Sequence, residues 1–135
     1  MFISSSSIHR CSSSSVISSD SNLESKFSIT TNLSTTEVTY TTGNQASELS
    51  ITAKYNGSES GVTYQWYSNT TDDNTNGNKL EGKTSYSYTP STQNAGTTYY
   101  YCVATYTGAD EVTCTKTSNV AKITVQDPIT YTILW

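Results

Sequence analysis

Short alternating runs, each closed by Gly, Asn or Pro, constrain this chain more than any other feature. In "ELSITAKYNG" Leu49, Ile51 and Ala53 fall on one face, and Ser50, Thr52 and Lys54 on the other. "GVTYQWYSN" repeats the pattern with Val62, Tyr64 and Trp66. A period of two is the mark of a half-buried strand, and no stretch carries the 3.6-residue period of a helix. "EVTYTTG" reads as a first strand, Lys79–Leu80 as a short edge segment, and "SYSYTP" as a strand that Pro90 stops, with Tyr86 and Tyr88 on one face. "TTYYYCVATY" places Tyr100, Cys102, Ala104 and Tyr106 together, and "SNVAKITVQ" does the same for Ala121, Ile123 and Val125. Turn signals at roughly ten-residue spacing and about seven strands predict an all-β sandwich.

Residue usage supports this reading. Eleven tyrosines against two phenylalanines, with abundant threonine, favour pleated half-buried surface over helix. The chain has 135 residues, enough for one domain. The serine-rich opening has no period and too little apolar surface to offset the entropy of ordering it. We therefore expect a disordered head over residues 1–35, a domain over 36–127, and a linker or the cut-off first strand of a further repeat over 128–135 ("PITYTILW"). The opening has neither an early positive charge nor a continuous apolar core, so it does not read as a signal peptide. No run is apolar for long enough to span a bilayer, so no membrane insertion is expected. The net charge of −4 argues against a nucleic-acid groove.

"YQWY" followed by "YYYC" resembles an immunoglobulin-like domain. Trp66 is similar to the core tryptophan of that fold, and Tyr100 stands two residues before Cys102 as its tyrosine–cysteine pair does. The segments "EVTYTTGNQASELSITA", "VTYQWYSNTTDDNTNGNKLEG", "TSYSYTPSTQNAGTTYYYC" and "TSNVAKITV" together resemble the immunoglobulin-like repeats of large bacterial surface and secreted proteins. The resemblance implies an antiparallel β-sandwich with a core of Trp66, Tyr100, Cys102, Ile51, Ile123 and Val125. It also implies a place outside the cell or on its surface, among neighbouring repeats of one polypeptide. Antibody-type domains carry a second cysteine where this chain has Ile51 or Ala53, so their inter-sheet disulfide is missing.

Three cysteines remain to be placed: Cys11, Cys102 and Cys114. If Ala121, Ile123 and Val125 face inward, odd positions on the last strand point to the core and Cys114 points out. Cys102 points in, so the two cannot bridge. One extra residue between Cys114 and Ala121 would reverse that parity. We expect no disulfide, with Cys102 a buried small hydrophobe and Cys114 a surface thiol.

Signals for chemistry are sparse. His9 is the single histidine and lies in the head; no nucleophile elbow or phosphate loop occurs. Asp72/Asp73 and Asp110/Glu111 lie at expected loop tips, where carboxylates are solvated. Asp72, Asn74, Asn76 and Gly77 match the first positions of a calcium loop, but the twelfth is Lys83 where a bidentate Glu is needed. Asn32, Asn56 and Asn69 fit the N-glycosylation pattern, read as coincidence in a chain rich in Asn, Ser and Thr. We expect no catalysis, no metal and no cofactor. The best binding candidate is an outward face carrying Tyr67, Tyr99, Tyr101 and Gln65, since exposed aromatics stack on sugars or anchor proteins. Three roles follow: a structural spacer, an adhesion module for a glycan or a host or matrix protein, or an accessory domain of a secreted polysaccharide-active enzyme.

Overall fold

The computed structural model describes residues 27–108 and 113–128. Over these the protein is all-β, with ten strand segments and no helix. They are β1 (Phe27–Thr31), β2 (Val38–Thr41), β3 (Leu49–Ser50), β4 (Thr52–Tyr55), β5 (Val62–Asn69), β6 (Asn78–Lys79), β7 (Ser87–Tyr88), β8 (Gly96–Thr107), β9 (Thr113–Thr117) and β10 (Ala121–Gln126). The largest sheet runs β2-β10-β8-β5-β6, with β9 also on β8. β1 pairs with β4, and β3 with β7. Every pairing between strands is antiparallel except β2 on β10, which is parallel from Val38↔Ile123 to Thr41↔Gln126.

The alternation in the sequence becomes burial. Ile51 and Ala53 are fully enclosed, Trp66 and Cys102 likewise, and Ala121, Ile123 and Val125 are buried along β10. One core joins Phe27, Leu33, Ile51 and Ala53 from the β1–β4 region to Trp66, Cys102, Ala104, Cys114 and Ala121 of the largest sheet. Tyr100 sits with Ile123 and Val125, and Tyr88 packs against both groups. Trp66 satisfies its indole by donating Nε1–H to Ser85 O at 2.8 Å.

Four expectations are corrected. The domain begins before residue 36, because β1 is a strand whose Phe27 is fully buried against Tyr106, at 6.0 Å between ring centroids. Strand segments outnumber seven because β1 is added, Ile51 separates β3 from β4, and a separate β9 precedes a bulge before β10. Tyr86 does not join Tyr88 on the core: it is 56% exposed, in a bend just before β7. The head before residue 27 and the segment after residue 128 lie outside the described residues.

The fourth correction concerns Cys114, which is buried and lies opposite Tyr106 on the core face of β8. The alternation of strand faces breaks at Ser118. Ser118 N–H donates to Cys102 O at 2.9 Å and Ser118 Oγ accepts from Cys102 N–H at 2.9 Å, while Ala121 already lies opposite Tyr100. Three steps along one strand thus face two on the other, which is a bulge, and the inward positions change from even to odd. Cys102 and Cys114 then share a face but stand four positions apart along the ladder, roughly 13 Å at strand rise. That is too far for a bridge. Cys102 is a free thiol, whereas Cys114 is disulfide-bonded, against the expectation of no disulfide.

Ser118 is itself fully buried, and its hydroxyl donates to Asn119 O at 2.8 Å. Ser118→Ala keeps the packing but strands the Cys102 amide, and an unmet buried donor costs about 1–3 kcal/mol. Urea unfolding should show that loss; a change below about 0.5 kcal/mol would put the surface-like value on this position instead.

Candidate functional site

The outward face of β5 and β8 carries all four residues expected to bind. Their strand register is Gln65↔Val103, Tyr67↔Tyr101 and Asn69↔Tyr99. Tyr67 and Tyr101 stack across the strands with centroids 5.1 Å apart and planes 3° from parallel. The structure therefore brings these two together as the alternation requires.

It does not leave them open. Tyr101 is only 3% exposed, which corrects its reading as an outward binding aromatic. The segment from Asn69 to Gly77 crosses this face as a strap. Gly77 N–H donates to Tyr101 Oη at 2.9 Å. A methyl at Gly77 would stand 2.8 Å from both Ser68 O and Tyr101 Oη, so only glycine lets the strap lie this close. Asn74 extends the strap to the bulge, donating Nδ2–H to Ser118 O at 3.1 Å.

The strap organises itself through its own polar side chains. Asn69 Nδ2 donates to Asp73 O and Thr75 O, at 3.1 and 3.0 Å. Asn69 Oδ1 accepts from Thr70 N–H at 2.8 Å. The Asp73 carboxylate accepts from Thr75 N–H at 2.9 Å and Thr75 Oγ1–H at 2.7 Å. Of the residues that match a calcium loop, Asn74 and Gly77 spend their donors on Ser118 O and Tyr101 Oη. No group of three potential metal ligands occurs among the described residues.

Gln65 is also occupied. Its Nε2 donates to Leu80 O at 2.7 Å and Trp66 O at 3.0 Å, which ties β5 to the turn after β6. This makes Gln65 a brace rather than a contact for a ligand. Tyr99 and Tyr67 remain half-buried, and Tyr99 lies opposite Lys122. Lys122 Nζ in turn stands 3.8 Å from Glu37 Oε1, an exposed pair.

Two shallow clefts border the face. One of about 370 Å³ lies where the strap meets the bulge, between Asp72, Asp73, Asn119 and Lys122. The other, about 490 Å³, follows residues 82–89, with Tyr88 as its wall. The Lys83 ammonium stands 6.0 Å from the centroid of that ring. Both are lined mainly by hydroxyls, amides and isolated charges.

Burial, not a charged neighbour, governs the shifted ionisations. It pushes the Cys102 thiol up to about 12. It does the same to the Tyr100 phenol, reinforced by Tyr88, and raises Tyr88 itself. None of these groups is primed to react at neutral pH. Cys102 should resist alkylation in the folded protein and react at once in denaturant, which mass spectrometry reads directly. Stability from these neutral groups is full below their unfolded values of 9.0 and 10.0 and is lost as pH rises through about 12. Thermal melts should therefore decline from about pH 9 upward. A flat profile to pH 12 would contradict the burial of Cys102 and Tyr100.

Compared with protein-family models, curated proteins and solved structures, the chain has no match in any of the three. Sequence reasoning singled out Gly77 and Asn74 only as matches to a calcium loop and missed their contacts with Tyr101 and Ser118. Their signal is the Asn76-Gly77 pair within a polar run, which reads as a turn and does not reveal what the turn covers.

Proposed function

We propose that the chain is an immunoglobulin-like β-sandwich serving as a non-catalytic spacer in an extracellular or cell-surface protein, beside neighbouring repeats. The fold reading is supported by the enclosed Trp66, by β1, β3, β4 and β7 sharing a core with the larger sheet, and by β2 lying parallel to β10. The spacer reading rests on one observation: the aromatic centre of the outward sheet is covered by the protein's own strap through the Gly77–Tyr101 contact. A surface closed in this way has little left to offer a ligand.

The test is a binding screen of the intact chain over neutral and acidic glycans and matrix proteins. The spacer reading expects no saturable binding. The adhesion reading keeps one argument, the half-buried Tyr67 and Tyr99 beside Lys122. It expects saturable binding that vanishes in Tyr67→Ser/Tyr99→Ser while the melting temperature holds. That outcome would replace the spacer reading.

A further inference from the structure

The chain contains two Asn-Gly pairs, and the fold treats them in opposite ways. Asn56-Gly57 forms the tip of a tight turn after β4, closed by a bridge between Tyr55 and Ser58. Tyr55 N–H donates to Ser58 O at 2.8 Å and Ser58 N–H to Tyr55 O at 3.0 Å, so the two residues between them lie outside the ladder. Both are left-handed, with φ of 53° and 83°. Both are exposed, and nothing lies within 4 Å of where a Gly57 Cβ would be. Asn76-Gly77 is held instead: Gly77 N–H is bonded to Tyr101 Oη, and the glycine fills a slot too tight for a methyl.

We infer that Asn56 is a site of spontaneous backbone modification, a slow conversion to aspartate and isoaspartate, and that the Tyr101 contact protects Asn76 from the same reaction. The Gly57 backbone nitrogen attacks the Asn56 side-chain carbonyl carbon. A new C–N bond closes a cyclic imide, the nitrogen gives up its proton, and the side-chain nitrogen leaves as ammonia. Water then opens the imide at either carbonyl. The co-reactant is water alone, and no electrons are transferred. The reaction needs a following residue without a side chain and a peptide unit free to rotate. Asn56-Gly57 has both, because an exposed turn closed by a single bridge opens at little cost. Asn76-Gly77 has only the first, because rotating its peptide breaks the bond to Tyr101 and drives the glycine against Ser68 O.

The experiment ages the full chain at mildly alkaline pH and locates the amide-to-acid mass gain by peptide fragmentation. Asn56 should convert at least about tenfold faster than Asn76, the ratio that a modest difference in local opening produces. In denaturant the two should converge. Tyr101→Phe removes the acceptor alone and should speed Asn76 several-fold, with Asn56 unchanged as the internal check on folding. Equal rates in the folded chain, an unreactive Asn56, or no response of Asn76 to Tyr101→Phe would each overturn the inference.

Discussion

Trp66→Ala should be the most damaging single change in the domain, costing about 3–5 kcal/mol as buried aromatic truncations do. The ring is completely enclosed, between the core of both strand groups and the Tyr88 ring at 5.8 Å. Its loss opens a cavity and also leaves Ser85 O without the indole donor. A small domain holds roughly 5–15 kcal/mol in total, so the variant should melt on the order of 20 °C lower or fail to fold. Trp66→Phe keeps most of the volume and gives up the hydrogen bond, so it should fall between. Urea titration followed by far-ultraviolet circular dichroism measures both. A Trp66→Ala cost below about 1 kcal/mol would mean that this residue is not the centre of the core.

Phe27→Ala should cost nearly as much, again about 3–5 kcal/mol. This result separates two boundaries for the domain. If the folded unit starts at residue 36, Phe27 belongs to a tail and its truncation changes nothing. If β1 is integral, the loss removes a fully buried ring from the side of Tyr106, which also stacks on Tyr55 at 4.0 Å. The same titration reports it, and Ser28→Ala on the exposed face of β1 is the matched control.

Much of the architecture was legible because strand burial has a period of two. Alternation groups Trp66, Cys102, Ile51, Ile123 and Val125 each on one face of its strand, the resemblance makes those faces the core, and all five are buried. Alternation counts positions along one strand and has no knowledge of an added residue. The bulge at Ser118 carries no side-chain signature, so Cys114 was assigned to the wrong face. The candidate face fared likewise. Tyr67, Tyr99 and Tyr101 do point away from the core, yet direction is not exposure. What covers Tyr101 comes from a polar loop twenty-four residues earlier in sequence, and its reach depends on one glycine. Local patterns report which way a side chain points; only the fold determines what lies in front of it.

The parallel pairing of β2 with β10 has a consequence for the order in which the protein can form. Val38 finds its partner in Ile123, so β2 has no ladder until nearly the whole domain has been made. The β1–β4 pairing and the long β5–β8 pairing can assemble before then. During synthesis β2 waits as an open strand, guarded from stray pairing by Glu37 and its threonines rather than by structure. Closing such distant partners is entropically slow, and folding times of milliseconds to seconds are usual for sheets built this way. Among the described strands the latest in sequence, β10, is thus the one that locks β2 in place.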